Sequence, residues 1–258
     1  MSDLQQINDE PVEETFISHL VELRDRIIRA GASVVFVFIG LVYWAPDIFR
    51  LLAHPLIQNL PKDGKLIVTD VTGSFFVPMK VTMMVALVIA LPVVLYQIWA
   101  FVAPGLYQHE RKLVVPLVGS SYTLFLCGMA FAYFVVFPII FRVMAHYNAP
   151  LGVEMTTDID KYVGFVLTMF LAFGVTFEVP IIVVILARMG IVTVKKLRQI
   201  RPYVIVGAFV ISALVTPPDV FSQLILAFPL VILYEVGIIA AGIITRTDGN
   251  KEQEAEGR

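Results

Sequence analysis

Long apolar runs decide what kind of fold this sequence can adopt. Four of them, at about 27–45, 76–102, 113–141 and 162–187, approach or exceed the ~20 residues that an α-helix needs to cross a bilayer. Hydrophobic residues make up 58% of the chain and charged residues only 16%, whereas soluble domains carry about 25% charged residues. A water-soluble fold could not bury this much apolar surface. The sequence therefore predicts an all-α polytopic membrane protein.

A fifth apolar stretch carries a helix-start signature near its middle. Thr216, Pro217 and Asp219 place proline at the first helical position, with polar side chains that take up free N–H groups. The stretch therefore divides into two short helices, at about 203–215 and 219–243, and the total becomes six transmembrane helices. A re-entrant hairpin is the alternative for this part, because the first helix is short. Either version returns the chain to the side that it left.

Lys and Arg residues are concentrated on one side of the predicted spans. That side carries Arg24, Arg26, Arg29, Arg111, Lys112, Arg188, Lys195, Lys196, Arg198, Arg201, Arg246, Lys251 and Arg258. The other side carries Arg50, Lys62, Lys65, Lys80, Arg142 and Lys161. Cytoplasmic loops hold the excess of basic residues in membrane proteins, so the first group and both termini are expected in the cytoplasm.

The two ends of the chain differ in composition from the membrane domain. Residues 1–14 and 246–258 are polar and are expected to be disordered in the cytoplasm, which leaves 15–245 as a single six-helix domain. The first fourteen residues are acidic, without the basic start and short apolar core of a secretory signal. An Arg- and Ser-rich transit peptide is not seen either. This pattern favours a bacterial plasma (inner) membrane.

Prolines interrupt the predicted spans. They are Pro92, Pro116, Pro138, Pro180 and Pro229. Each removes a backbone hydrogen bond and bends or kinks a helix, and the freed carbonyls must be satisfied by neighbouring helices or water. Bent helices do not stack as a straight bundle, so we expect a curved wall with a concave face.

Residues 15–30 form an amphipathic helix that runs along the cytoplasmic interface into the first span. Its apolar stripe consists of Phe16, Leu20, Leu23 and Ile27, and its polar stripe of His19, Glu22, Arg26 and Arg29. The simplest role for Glu22 is an i,i+4 pair with Arg26, which contributes about 0.3–0.5 kcal/mol.

Glu110 lies at the start of the third predicted span, where a helix dipole favours a carboxylate by about 0.3–1 kcal/mol. The dipole alone explains its presence. However, Glu22 and Glu110 are predicted at the same membrane face, and each carboxylate can accept a guanidinium through paired, charge-assisted hydrogen bonds. A functional reading therefore predicts a peptide ligand that carries neighbouring arginines.

Glu178 lies inside the fourth predicted span, roughly 13 Å from its cytoplasmic end at 1.5 Å per residue. An ionised side chain at such depth costs on the order of 3 kcal/mol, so an intramembrane acid suggests a function. The structural alternative is a protonated carboxyl that satisfies carbonyls freed by Pro180. Gln97 and Glu235 raise the same question, although Glu235 is close enough to a span end to reach the interface.

An enzyme is not expected from this sequence, and neither is a cofactor or a metal site. All four histidines lie in loops or at span ends, and Cys127 is the only cysteine. Neither a Gly-x-x-x-x-Gly-Lys nor a His-Glu-x-x-His motif is present. Helix capping explains Asp158 and Asp219. A proton-coupled small-solute transporter that uses Glu178 as its carrier acid is the alternative function, whereas an intramembrane protease would need a nucleophile–base pair or an aspartate dyad that the spans lack.

Several motifs occur in a fixed order along the chain. They are HLVELR at 19–24, WAFVAPGLY at 99–107, HER at 109–111, GMAFAYF at 128–134, FGVTFEVP at 173–180, RPY at 201–203 and TPPDVFSQ at 216–223. With this set the chain resembles the TatC family, the multi-spanning core of the twin-arginine protein translocase. The resemblance covers about residues 15–243, and an ordered set of motifs is far more specific than any one of them.

The resemblance implies a cupped, glove-like wall of six helices with two periplasmic caps. Its cytoplasmic face would bind the twin-arginine motif of signal peptides on folded cargo. The two family glutamates that receive the arginines fall on Glu22 and Glu110, beside His19, Arg24, Phe101 and Arg111. Glu178 matches a buried polar residue of the concave face. The implied partners are the single-span TatA and TatB proteins and further copies of the chain itself, and the implied driving force is the proton gradient.

Overall fold

Helices account for most of the chain in the structure, a computed structural model that describes residues 10–58, 65–70, 72–102, 114–148, 156–216 and 220–256. The first part contains α1 (Glu10–Leu41), a 3-10 turn (Val42–Trp44), α2 (Ala45–Gln58), strand β1 (Lys65–Ile67), α3 (Gly73–Val102), α4 (Val114–Phe131) and a π-helical turn (Ala132–Val136). The second part contains α5 (Phe137–Asn148), strand β2 (Thr156–Asp158), α6 (Ile159–Thr176), α7 (Val179–Arg188), α8 (Val194–Gln199), α9 (Arg201–Val215) and α10 (Val220–Glu256).

Five helical segments are long and apolar enough to cross a membrane. They are Ile17–Leu51, Gly73–Val102, Val114–Val143, Ile159–Arg188 and Ser222–Ile244. The prediction of an all-α polytopic membrane protein is therefore confirmed. The remaining predicted span, the fifth in chain order at about 203–215, corresponds to α9, a separate apolar helix of 15 residues. At 1.5 Å per residue α9 is about 22 Å long, shorter than the ~30 Å hydrocarbon core.

Both ends of the membrane domain are more helical than the sequence analysis predicted. Helix α1 already begins at Glu10, within the expected disordered segment 1–14. Helix α10 continues to Glu256, through most of the expected disordered tail 246–258. A helix that is already nucleated extends at little cost, and the tail residues Lys, Glu, Gln and Ala have high helix propensity.

The prolines affect the helices in different ways. Pro92 lies inside α3 and Pro229 inside α10. Pro78, which the sequence analysis did not single out, also lies inside α3. Pro116 is the third residue of α4, a position whose N–H has no intrahelical partner in any case. Within the described part of α4 it therefore removes no helical hydrogen bond.

Two spans are interrupted beside a proline. Pro138 is the second residue of α5 and directly follows the π-helical turn Ala132–Val136. Pro180 lies in the first turn of α7, and the preceding residues Phe177 and Glu178 form the turn that separates α6 from α7. The break puts the side chain of Glu178 at a helix junction rather than on a regular helix face.

Two short strands, which the sequence analysis did not predict, connect the beginnings of α3 and α6. Strands β1 and β2 pair in parallel, with Lys65 opposite Thr156 and Ile67 opposite Asp158. Lys80 of α3 also forms an ion pair with Asp160 of α6, with 2.7 Å between Nζ and Oδ1. The two loops that precede these helices are thus held together.

Asp158 is the N-cap of α6, since its side chain accepts a hydrogen bond from the backbone N–H of Asp160 at 2.9 Å. Its other carboxylate oxygen accepts a hydrogen bond from the Thr69 hydroxyl, in the loop after β1. These two hydrogen bonds, the Thr69 bond foremost, lower the pKa of Asp158 below its usual value. One carboxylate therefore caps a helix and joins two loops.

Helices α4 and α6 approach each other closely at two glycines. A Cβ atom added to Gly128 would lie 2.4 Å from the carbonyl oxygen of Phe173, and one added to Gly174 would lie 2.6 Å from the ring of Phe125. Phe173 and Phe125 are both buried. Small residues at helix contacts are typical of membrane proteins, because they let backbones approach and gain van der Waals contact.

We expect Gly128→Ala to destabilise the protein by about 1–3 kcal/mol, because the new methyl group meets a backbone carbonyl that cannot rotate away. The measurement is the free energy of unfolding from denaturant titration in mixed micelles. Gly119→Ala is the matched control, since Gly119 lies in the same helix with nothing within 4 Å of an added Cβ. Equal stability of the two variants would contradict the close contact.

Candidate functional site

The polar stripe of α1 packs against the end of α3. Arg26 donates two hydrogen bonds to the same oxygen of Glu22, from Nε at 2.9 Å and from Nη2 at 2.6 Å to Oε1. Its remaining nitrogen, Nη1, lies 3.5 Å from the Oε1 atom of Gln97 in α3. Arg26 thus links the predicted site residue Glu22 to Gln97. The expected pair between Glu22 and Arg26 is formed, and it occupies only one carboxylate oxygen.

His19 completes this contact on the other side of Glu22. Its ring stacks on the ring of Phe101, with 4.4 Å between centroids and 17° between planes. Its Nδ1 atom lies 3.9 Å from Oε2 of Glu22, beyond hydrogen-bond distance. The Oε2 atom therefore has no close partner among the described residues. With 37% of its side chain exposed, Glu22 is accessible to a ligand. We call the residues His19, Glu22, Arg26, Gln97 and Phe101 the Glu22 surface.

Arg24, the other described residue predicted for this site, is not part of this contact. Arg24 pairs with its neighbour Asp25 at 2.9 Å and is 68% exposed, so it does not contact Glu22. Glu110 and Arg111 lie outside the described residues. The predicted pairing of Glu22 and Glu110 in one site therefore stays a prediction.

Glu178 is buried between helices, with 7% of its surface exposed. Neither carboxylate oxygen has a hydrogen-bond partner in the described part of the chain. The Ser121 hydroxyl lies beside this carboxyl without forming a hydrogen bond of normal geometry. The carboxyl also does not bond carbonyls freed by Pro180, as the structural alternative requires. A buried carboxyl without partners is costly, which marks this position for a role beyond stability.

Two residues that the sequence analysis missed surround this position. The indole N–H of Trp99 in α3 donates a hydrogen bond to the Ser121 hydroxyl in α4 at 3.0 Å, and both side chains are buried. The polar cluster of Trp99, Ser121 and Glu178 therefore joins three spans. A serine within an apolar run and a tryptophan in a quoted motif were the available signals, but their contact is not local in sequence.

Glu235 is paired, unlike Glu178. It accepts a hydrogen bond from Nη2 of Arg201 at 2.6 Å, which joins α10 to the first residue of α9. The neighbouring Tyr234 donates its hydroxyl to the backbone carbonyl of Leu197 in α8 at 2.8 Å. Glu235 is thus explained by a structural ion pair. Because its carboxylate is already paired with Arg201, Glu235 is less available than Glu178 for a polar contact with a partner helix.

The predicted helix-start signature lies mostly outside the described residues, which omit Pro217 and Asp219. Thr216 is the C-cap of α9, and its hydroxyl donates to the carbonyl of Ser212 at 2.8 Å. This hydroxyl therefore bonds within the preceding helix, and the predicted role of Thr216 at the start of the next helix stays a prediction, because residues 217–219 lie outside the described residues. Among the described residues no three His, Cys, Asp or Glu side chains are grouped closely enough to hold a metal ion.

Fold and site together define a multi-pass α-helical membrane protein with one partly open carboxylate at a span end and one unpartnered carboxyl among its spans. The family model for the Sec-independent protein translocase protein (TatC) matches residues 18–229. The chain belongs to the TatC family. It is a multi-pass protein of the bacterial inner membrane.

Individual relatives agree along nearly the whole chain. The Sec-independent protein translocase protein TatC of Escherichia coli O6:H1 is 52% identical over 244 residues, 94% of each chain. Its counterpart in Haemophilus influenzae is 51% identical over 228 residues, 88% of this chain and 89% of its own. A crystal structure of the twin-arginine translocase receptor TatC superposes with a TM-score of 0.79, at 37% identity, over 88% of this chain and 99% of the other.

We expect Ser121→Ala to lower the free energy of unfolding by about 1–2 kcal/mol, because it leaves the buried indole N–H of Trp99 without an acceptor. Ser120→Ala is the matched control, since Ser120 is exposed and its hydroxyl bonds only within its own helix, to Leu117. Unfolding in mixed micelles measures both variants. Loss of the same size in both would show that the Trp99 contact is not the cause.

Proposed function

We propose that this chain is the core receptor subunit of a twin-arginine protein translocase. In this role it binds the twin-arginine signal peptides of folded proteins at the cytoplasmic face and organises single-span partners for export driven by the proton gradient. Membership of the TatC family supports this proposal, as does the likeness to a solved twin-arginine translocase receptor. The observation that carries the binding step is the open Oε2 atom of Glu22.

The proposed topology has six spans with both termini in the cytoplasm. Its main support is the distribution of Lys and Arg, which puts α8 and the Glu22 surface on the basic side. In this topology α9 is the short fifth span. A 15-residue helix is accommodated in a bilayer that thins locally.

The arrangement at Glu22 suits a guanidinium ligand. Arg26 holds Oε1 with two hydrogen bonds, so the carboxylate is oriented and its second oxygen faces away from this partner. An incoming arginine can donate to Oε2 through a charge-assisted hydrogen bond, which is worth about twice a neutral one. A lysine offers a single ammonium group with less directional donors. Glu22 therefore favours arginine over lysine.

A second carboxylate gives the preference for two arginines. The family resemblance assigns this role to Glu110, beside Arg111 on the same predicted side as Glu22. Two carboxylates at a fixed separation bind two neighbouring guanidinium groups together, and the second contact forms at high effective concentration. The apolar part of the signal peptide then lies along the concave face of the helix wall.

Glu178 supplies a polar contact within the membrane. Its unpartnered carboxyl is available to a polar side chain of a single-span TatA or TatB partner, or to water in a thinned bilayer. A hydrogen bond from such a partner would compensate part of the cost of burying the carboxyl. This step gives partner helices a specific position on the wall.

Small-solute transport is the competing function for Glu178, and it requires flux through vesicles that contain this protein alone. The translocase proposal requires no flux from the isolated protein and co-purification with single-span partners. The family relationship favours the translocase. Export of a twin-arginine reporter in a strain that lacks its own counterpart tests the proposal directly, and failure of a well-expressed protein to restore export would contradict it.

We expect Glu22→Ala and Glu110→Ala each to weaken binding of an Arg-Arg signal peptide by about tenfold or more, the equivalent of losing one charge-assisted hydrogen bond of ~1.5 kcal/mol or more. Site-specific photo-cross-linking to the peptide at a series of peptide concentrations measures the effect. The reason is loss of the carboxylate that accepts each guanidinium.

Asp25→Ala is the matched control for these two variants. Asp25 lies on the same helix as Glu22 and pairs with Arg24 at an exposed position, so its removal changes the net charge without touching the Glu22 surface. Cross-linking of the Glu22 and Glu110 variants at the level of the Asp25 variant, with normal expression, would reject the site assignment.

A further inference from the structure

A second surface with a different charge lies between α8 and α10. The groove has a volume of about 650 Å³. Its walls include Lys195, Arg198 and Gln199 from α8 and Ile238, Ile239 and Ile243 from α10. Helix α8 contributes the polar wall and α10 the apolar wall. We call this feature the α8–α10 groove.

The polar wall is held rigidly against α10. Leu197, the one buried residue of α8, packs in a cluster with Ile238 and Ala241. Its backbone carbonyl also accepts the hydroxyl of Tyr234 at 2.8 Å. With Leu197 fixed beneath the helix, Lys195 and Arg198 three residues apart share one face and line the groove.

The two basic side chains have no acidic counterpart among the residues whose side chains the structure describes. Lys195 and Arg198 are exposed, and neither forms an ion pair with a described residue. The opposite wall exposes apolar surface, since Ile239 is 60% and Ile243 is 62% exposed. The groove therefore presents two unpaired cations at one end and aliphatic side chains along the other. A ligand that fits it needs a negative group joined to a hydrocarbon chain.

We propose that the α8–α10 groove binds one anionic phospholipid of the cytoplasmic leaflet. Lys195 and Arg198 contact the headgroup phosphate, the Gln199 amide offers a further hydrogen bond, and an acyl chain lies along Ile239 and Ile243. The assignment rests on the proposed topology, which puts α8 at the cytoplasmic surface where anionic lipids attract basic residues. Basic residues beside an exposed apolar helix face are typical of lipid contacts of this kind.

Charge distinguishes this groove from the Glu22 surface. A twin-arginine peptide carries positive charge and is repelled by Lys195 and Arg198, whereas it is attracted to the carboxylate of Glu22. The apolar wall belongs to Ser222–Ile244, a helical segment long and apolar enough to cross a membrane. In the proposed topology this wall faces hydrocarbon, where a water-soluble anion gains nothing. An anionic lipid contacts the polar wall with its headgroup and the apolar wall with an acyl chain, whereas free phosphate contacts only the polar wall.

The test measures retention of lipid by the purified full-length protein with native mass spectrometry, after addition of phosphatidylglycerol or phosphatidylcholine. We expect one tightly bound phosphatidylglycerol and much weaker retention of phosphatidylcholine. The double variant Lys195→Gln/Arg198→Gln should weaken phosphatidylglycerol binding by about tenfold or more, since each basic residue near a membrane surface contributes ~1 kcal/mol. Lys196→Gln is the matched control, because Lys196 is exposed on the same helix but does not line the groove.

A second variant tests the apolar wall without changing charge. A Cβ added to Gly242 would lie 4.0 Å from Cγ1 of Val194, so Gly242→Leu fills the groove without a backbone clash. It should weaken phosphatidylglycerol binding while all basic residues are kept. Unfolding in mixed micelles checks that both variants are folded. If the double variant does not fold, the effect of Gly242→Leu on phosphatidylglycerol binding decides whether the lipid lies in the groove.

Several outcomes would overturn the proposal. A loss of binding free energy in the double variant that is only twice the loss in Lys196→Gln, or less, would mean that general positive charge attracts the lipid. Competition by millimolar inorganic phosphate, with no effect of Gly242→Leu, would mean a site for free phosphate. A dimer that forms without lipid and buries α8 would assign the groove to a second copy. Lipid binding should be unchanged in Glu22→Ala, so failure of this proposal and failure of the signal-peptide site are distinguishable.

Discussion

Apolar side chains gain little when they leave lipid for a helix interface, so this fold depends on close packing at a few small residues. Gly128 and Gly174 allow α4 and α6 to approach within a distance that any side chain would prevent. The large buried side chains Phe173 and Phe125 fill the space around them. This contact fixes the position of α6 relative to α4. It therefore also fixes where along α4 the side chain of Glu178, at the break between α6 and α7, is placed.

The three predicted carboxylates of the described spans differ in how completely they are paired, and this difference separates their roles. Glu235 shares a 2.6 Å contact with Arg201, which is adequate as a tie between helices. Glu22 uses one oxygen for Arg26 and leaves the other open, which suits reversible binding at an exposed end. Glu178 is buried beside the Ser121 hydroxyl, without a hydrogen bond of normal geometry from the described residues. Only the last arrangement is costly in the absence of another molecule, so it is the strongest sign of a partner within the membrane.

The sequence predicted most of the fold because the membrane leaves few options. Apolar run length locates the spans, and Pro180 correctly indicated an interruption beside Glu178. Contacts between segments that are far apart in the sequence could not be predicted from the sequence. Strands β1 and β2 have three residues each, too few for a periodic pattern, and the bond between Trp99 and Ser121 joins different helices. The tail was assigned to disorder from its polarity, although α10 continues to Glu256 and the tail contains the helix-favouring residues Lys251, Glu252, Gln253 and Ala255.

The same limit applies to the sites. Glu22 was selected because it shares a predicted membrane face with Glu110 and matches a family glutamate, and its role as a binding residue stays a prediction. The sequence could not reveal that Arg26 occupies a single oxygen of Glu22 or that Lys195 and Arg198 lack acidic partners among the described residues, since both facts depend on rotamers and on packing between helices. Opposite charges at these two surfaces give them opposite ligands. If both proposals hold, a cationic peptide is directed to the carboxylate and an anionic lipid headgroup to the groove, so one membrane face holds both without competition.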